Sequence, residues 1–269
     1  MATVKITSTY ERENDGALQL NFIIPAEIAQ KNEDAILVEH GKEVKIKGFR
    51  TGKAPLSKLR EHFDREHIVS DVVNRLMPYA LMDAIKMHKI KPIIPAQLQI
   101  LKSEFGEAWE IKARTCEMPK VKLGSYKKGL KGKKEDEIIQ SLLKTVEIKL
   151  PQIMVESEIN ARINALLKKL ETLGLTLEKY LESIKKKPEE FYKDIEKQAQ
   201  EAISIELILN EIAKEMKLKT KDKEINKTLN TMKADPNFYI HTKEDVKRQK
   251  NVIAQVMLRR AALDGLKSL

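Results

Sequence analysis

The residues best suited to do chemistry lie between Gly41 and Arg60. They are Gly48-Phe49-Arg50-Thr51-Gly52-Lys53-Ala54-Pro55, preceded by Lys42, Lys45 and Lys47 and followed by Lys58 and Arg60. From Lys42 to Arg60 there are seven basic residues against one acidic residue, Glu43. An arginine can grip a phosphate through two parallel N–H donors, and an aromatic ring beside it offers a stacking face. Two glycines permit positive φ and tight turns, and Pro55 suits the start of a helix, so the tip would stand out from a firm base. The chemistry on offer is non-covalent recognition of a polyanion. The competing reading is a surface loop whose charges are merely solvated and whose Phe49 tucks back onto neighbouring helices.

Groups for covalent or metal chemistry are sparse. Cys116 is the only cysteine, which excludes an intrachain disulfide and a cysteine-built zinc site. It stands beside Glu117 with no evident activating partner, so a small packed residue is expected. His62 and His67 are separated by Asp64 and Glu66, but a spacing of five does not align two ligands on one helical face. Surface histidines, no metal and no cofactor are the expectation. The sequence has neither a glycine-rich phosphate-binding motif nor a nucleophile elbow, so no catalytic residue is assigned.

The elements that must hold the basic loop follow from periodicity. Val4, Ile6 and Tyr10 alternate along one run and Leu18, Leu20, Phe22 and Ile24 along another, with Asn14-Asp15-Gly16 between them, which predicts a hairpin ended by Pro25. A helix is predicted from Ala26 to about His40, with Ile28, Ala35 and Ile36 on one face and Gly41 as terminator. After the loop, Leu56, Leu59 and Phe63 mark a short helix, and Ile68, Val72, Leu76, Tyr79, Met82 and Ile85 a longer one. Two strands follow: Leu98 to Leu101, and a run in which Trp109, Ile111 and Ala113 face opposite to Glu110, Lys112 and Arg114. Residues 1–118 thus read as an α+β domain.

Residues 119–134 carry Gly124, Gly129 and Gly132 among seven lysines, which predicts a self-repelling linker. Beyond it the patterns are helical. Ile159, Ile163, Leu166, Leu170 and Leu173 form a stripe ended by Gly174, and Thr176 can cap a shorter helix. Pro188 opens a long helix through Phe191, Ile195, Ala199, Leu209, Ile212 and Met216. Ile225, Leu229 and Met232 mark a helix closed near Asp235-Pro236, and Thr242 with Asp245 makes a capping-box pattern before a last one. Residues 135–269 therefore read as an all-α domain.

The chain of 269 residues is 42% hydrophobic and 33% charged, which suits folded domains rather than a disordered polymer. Its net charge of +10 makes polyanions such as RNA natural partners, although a solvated lysine-rich surface explains the total equally well. Met1 to Tyr10 lacks the basic-then-apolar order of a signal peptide, and no apolar run approaches membrane-spanning length, so a cytoplasmic protein is expected.

A Gly-Phe-Arg-x-Gly-Lys-x-Pro sequence placed after a hairpin and one helix, and before two more helices, resembles the ribosome-binding loop of the bacterial trigger factor family. In that family the loop docks beside the nascent-chain exit tunnel, against a protein of the large ribosomal subunit and adjacent ribosomal RNA. The resemblance implies that Lys45, Lys47, Gly48, Phe49, Arg50, Gly52 and Lys53 serve this docking. Thr51 departs from the lysine that often follows Phe-Arg in the family, which removes a charge. Residues 1–118 are similar to the family's amino-terminal domain, and those from about Glu135 onward to its carboxy-terminal domain with helical arms.

Typical members of the family carry an FKBP-like prolyl-isomerase domain between these parts. Here Val121 to Tyr126 resembles the approach to it, yet Lys133 and Lys134 lead directly into helical pattern. With aromatic residues only 5% of the chain and scattered, an aromatic-lined proline pocket is not expected. The expectation is an ATP-independent chaperone that holds nascent or unfolded polypeptides. Met154, Met216, Met232 and Met257 are candidate client contacts because thioethers repack readily, although at helical spacing each also suits a core. The alternative is an RNA-binding or ribosome-assembly factor without chaperone activity. A homodimer is implied by the resemblance alone.

Overall fold

A hairpin forms where alternation meets a tight turn. In the computed structural model, which describes residues 5–233 and 242–268, strands β1 (Thr7–Arg12) and β2 (Ala17–Ile24) pair antiparallel from Thr7 opposite Ile23 to Arg12 opposite Leu18. The turn closes through Gly16 N–H donating to Glu13 O at 3.0 Å, with Gly16 at φ +94°. The Asp15 carboxylate accepts from the N–H groups of Ala17 and Gln152, both at 2.9 Å. Burial would raise its pKa, but these N–H donors and the nearby Arg114 charge outweigh that and hold it below the ordinary value. Val4, Asp235 and Pro236, which the sequence reading also used, lie outside the described residues.

Strands β3 (Gln97–Lys102) and β4 (Trp109–Cys116) complete an antiparallel sheet in the order β1-β2-β4-β3. Trp109, Ile111 and Ala113 on β4 are buried, as their alternation predicts. They meet Leu18, Leu20, Phe22 and Ile24 of β2 and the inner faces of three helices: α1 (Ala26–Gly41), α2 (Leu56–His62) and α3 (Arg65–His88). The buried stripe of α1 is Ala29, Glu33, Ile36 and Leu37; Ala35, expected inside, is exposed. On α3 the buried line runs through Ile68, Val69, Val72, Val73, Met77, Ala80 and Ala84. Tyr79 and Met82, also expected inside, are 70% and 47% exposed. Alanines face inward there instead, Ala80 next to Tyr79 and Ala84 two positions beyond Met82, so the bulkier side chains turn outward.

The chain divides into two compact units, Met1–Met118 with Pro151–Met154, and Pro119–Leu150 with Val155–Leu269. Among its described residues the regular elements of the second are helices and a two-residue ladder of β5 (Val121–Lys122) with β6 (Glu147–Ile148). Its helices are α4 (Glu135–Thr145), α5 (Gln152–Thr172, beginning in the first unit), α6 (Leu177–Ser183), α7 (Pro188–Glu215), α8 (Asp222–Lys233) and α9 (Lys243–Lys267). Thr242 caps α9 reciprocally with Asp245, as the sequence pattern predicts. Leu173, assigned to the stripe of α5, is 70% exposed instead, because the helix ends at Thr172 and Gly174 at φ +66° turns the chain.

The expected linker at 119–134 is corrected by the structure. Tyr126 and Leu130 are 3% and 1% exposed and belong to one core with Ile138, Leu142, Ile208, Ile212, Ala262 and Leu266. The Tyr126 hydroxyl donates to Glu215 Oε1 at 3.0 Å, and Lys127 Nζ donates to the same oxygen at 2.8 Å. Two apolar side chains four residues apart suffice to fold a lysine-rich stretch onto helices, since each buried large side chain contributes roughly 1.5–3 kcal/mol. The lysines' mutual repulsion, screened by water and salt, is weaker.

Candidate functional site

The loop between α1 and α2 is built from two consecutive turns. Phe49 N–H donates to Ile46 O at 3.0 Å and Lys53 N–H to Arg50 O at 2.9 Å. In each turn the third residue is a glycine at positive φ, Gly48 at +88° and Gly52 at +76°, as turns of this class require. At Gly52 a side chain would also crowd the carbonyl oxygen of Lys42, which lies 3.2 Å from where a Cβ would stand. Gly41, at the end of α1, is needed for a different reason: a Cβ there would come within 2.7 Å of Leu59 on α2.

The ends of the loop are fastened to the core and its tip is not. Ile46, Ala54 and Leu56 are partly buried against the first unit's core, whereas Lys47 to Lys53 are exposed. Phe49 is 41% exposed. It is neither fully packed away nor wholly in solvent, so part of the side chain remains accessible. The tip therefore offers a ring and cations on a backbone whose shape two hydrogen bonds set.

Six of the seven cations read from the sequence fall into two groups, while Lys42 ends α1 near the Glu39 carboxylate. Arg60 pairs with Asp34 and lies 4.6 Å over the ring of Phe105, while Lys58 pairs with Glu61 at 2.7 Å. These two brace α2. Among the described residues Lys45, Lys47, Arg50 and Lys53 have no carboxylate partner, so their positive field is uncompensated at the tip. The sequence showed the cluster, but not which members are spent internally.

The sequence allowed the four methionines two roles, client contact and core. Met154, Met216, Met232 and Met257 are all partly buried and packed against core clusters. The exposed apolar side chains of the second unit are others: Leu167, Leu173, Leu175, Ile184 and Tyr192 around α5 to α7, and Val252 and Val256 on α9. Sequence reading placed Leu173 in the α5 stripe and assigned none of these to client contact, because apolar character alone does not show which side chains a neighbour covers.

Cys116 is fully buried beside Ala17 and Ile153, and burial, with the Asp15 charge, pushes its thiol up to about 11. It is not a nucleophile at neutral pH. His62 and His67 are not brought together as a ligand pair. His67 instead stands with His40 and Asp71, a grouping that joins α1 to α3 and had no local sequence signal beyond the four-residue spacing from His67 to Asp71.

The α+β unit with its exposed basic loop and the helical unit make a protein of two parts. The family model for bacterial trigger factor protein matches residues 6–141, and the model for the trigger factor carboxy terminus matches residues 123–268. The chain belongs to the bacterial trigger factor family. The two matches overlap at 123–141 and leave no unmatched stretch between them.

Trigger factor of Limosilactobacillus reuteri (strain DSM 20016) is 31% identical over 123 residues, which are 45% of this chain and 28% of that protein. Trigger factor of Staphylococcus saprophyticus is 31% identical over 131 residues, 49% of this chain and 30% of that protein. Trigger factor of Listeria welshimeri is 29% identical over 154 residues, 55% and 36% of the two. The aligned segments thus span about a third of these curated relatives. A solved trigger factor chaperone chain, from work on promiscuous substrate recognition in folding and assembly activities, superposes with a TM-score of 0.64. That match covers 96% of this chain and 98% of the other at 14% identity, a likeness of fold.

Proposed function

We propose that this protein is an ATP-independent chaperone that docks on the large ribosomal subunit beside the exit tunnel and holds nascent or unfolded polypeptides. The observation that carries the reading is the loop tip, where Phe49 and the unpaired cations Lys45, Lys47, Arg50 and Lys53 stand on two glycine turns in a member of the trigger factor family. Such a tip suits a partner made of protein and RNA: the arginine and lysines meet phosphates while the accessible part of Phe49 takes an apolar contact. Thr51 leaves the tip with one charge fewer than a lysine would.

Client holding falls to the second unit. Its exposed leucines, Ile184, Tyr192 and the valines of α9 supply scattered apolar contacts among charged residues, an arrangement suited to weak and adaptable binding. In this proposal Met216, Met232 and Met257 support those surfaces from within the helical unit's cores rather than contacting clients, and Met154 packs in the first unit. The amino- and carboxy-terminal family matches adjoin without an intervening segment, which supports a holding activity without prolyl isomerisation. The protein acts in the cytoplasm, and a homodimer away from the ribosome belongs to the same reading.

Co-sedimentation with intact ribosomes tests the docking role. The parent should pellet with ribosomes in a salt-sensitive manner. A Phe49→Ala, Arg50→Ala double variant should lose at least about tenfold in affinity, roughly 1.4 kcal/mol, with an unchanged melting temperature. Equal binding by parent and variant would remove the docking role from the loop. Association with immature subunits, and no suppression of aggregation of an unfolded protein, would favour an assembly factor instead.

A further inference from the structure

Two imidazoles and a carboxylate converge on the face of the first unit where α1 meets α3. His40 lies in the last turn of α1, and His67 and Asp71 are four residues apart on α3, so both project from one side of that helix. His40 Nε2 is 2.8 Å from Asp71 Oδ2, and His67 Nε2 is 3.8 Å from the same oxygen. One nitrogen of each ring and one carboxylate oxygen lie within 4.8 Å of one another. The two rings meet edge-on with centroids 5.9 Å apart, so they do not stack across the space between them.

We propose that His40, His67 and Asp71 form a binding site for a late first-row divalent cation, with zinc the reference ion. Zinc binds imidazole nitrogen and carboxylate oxygen at about 2.0–2.2 Å, which in a tetrahedral shell puts neighbouring donors about 3.3 Å apart. The observed separations of 2.8 and 3.8 Å bracket that distance. His67, whose side chain is 65% exposed, can turn the remaining way without disturbing the core. Three protein donors leave a fourth position for water.

The donor set also selects the class of ion. Two imidazoles with one carboxylate suit zinc, cobalt, nickel or copper, whereas magnesium and calcium take shells of oxygen. The ring of Phe63 lies 5.6 Å from that of His40 and gives the site an apolar wall on one side. Arg75, one turn beyond Asp71, is the nearby opposing charge, and its guanidinium donates to both oxygens of Glu39. A bound ion would tie the end of α1 to α3 next to Gly41, where the basic loop leaves the helix.

The full chain should be titrated with cobalt, read by its visible absorption, and with zinc in competition with a chromophoric chelator. One ion per chain is expected. His40→Gln, His67→Gln and Asp71→Asn should each weaken affinity at least about tenfold, while His62→Gln leaves it unchanged. Zinc should raise the melting temperature of the parent but not of His40→Gln, by preferential binding to the folded state. Circular dichroism of each variant without metal shows whether its fold is kept. For folded variants, affinity insensitive to all three substitutions, or equally sensitive to His62→Gln, overturns the site. Absence of saturable binding by the parent does the same, leaving only a hydrogen-bonded His40–Asp71 pair.

Discussion

Two segments of this chain look alike in composition and behave differently. The loop from Lys42 to Ala54 and the stretch from Pro119 to Lys134 are both rich in lysine and both carry glycines at positive φ. In the first, apolar residues sit at the ends, Ile46 before the tip and Ala54 and Leu56 after it, so burial anchors the ends and leaves the tip outside. In the second, Tyr126 and Leu130 sit in the middle and draw the chain down onto α4, α7 and α9. Lysine content therefore says little about exposure. Where the apolar side chains fall within the segment decides it, because burying one outweighs the screened repulsion of several surface charges.

The largest contrast should appear on truncating one apolar residue from each segment. Leu130→Ala removes a 1% exposed side chain from a packed core and should cost about 2–5 kcal/mol, whereas Phe49→Ala should cost under about 0.5 kcal/mol. Denaturant unfolding of the two variants measures both. Similar losses would mean that Phe49 is a core residue and the loop a structural one.

Next in size is Gly52→Ala, which places a Cβ both in the left-handed region and against the Lys42 carbonyl. A loss of about 1–2 kcal/mol in stability is expected, with a parallel loss of ribosome affinity as the second turn distorts. At Gly129, whose added Cβ would meet nothing within 4 Å, only the backbone strain applies. Comparing the two alanine variants thus isolates the crowding against Lys42.

The smallest effect is a pH dependence confined to the second segment. Burial, and then the hydrogen bond to Glu215, raise the Tyr126 pKa above its ordinary value of 10.0. A raised pKa means that the folded state holds the proton longer, so this contribution to stability is complete below pH 10.0 and is lost as pH rises through the folded value. Chemical denaturation across that alkaline range should show the slope in the parent and a reduced slope in Tyr126→Phe. An unchanged slope would place the alkaline transition elsewhere.

Much of the first unit was legible from residues alone. The hairpin, the alternation of β4 and the helices around the loop follow from periods of two and of three to four, because local backbone geometry and one-sided burial impose them. The loop's turn glycines were legible for the same reason. Tyr79, Met82 and Leu173 were misplaced because periodicity shows that a helix has an apolar side without showing how closely a neighbour approaches it. The four methionines were left open between core and client contact for a related reason, since a flexible side chain at helical spacing suits a core as readily as a surface.

Composition, periodicity and the motif from Gly48 to Pro55 were enough to set the order of the first unit's elements, the family and the place of the basic tip, since all three depend on residues near one another in the chain. Only tertiary structure could sort the cations into braces and an exposed tip, fold residues 119–134 into a core, and bring His40 to His67 and Asp71. Each of those outcomes depends on partners tens of residues away, Phe105 for Arg60, Glu215 for Tyr126 and α3 for His40, whose approach is decided by packing and leaves no local signal.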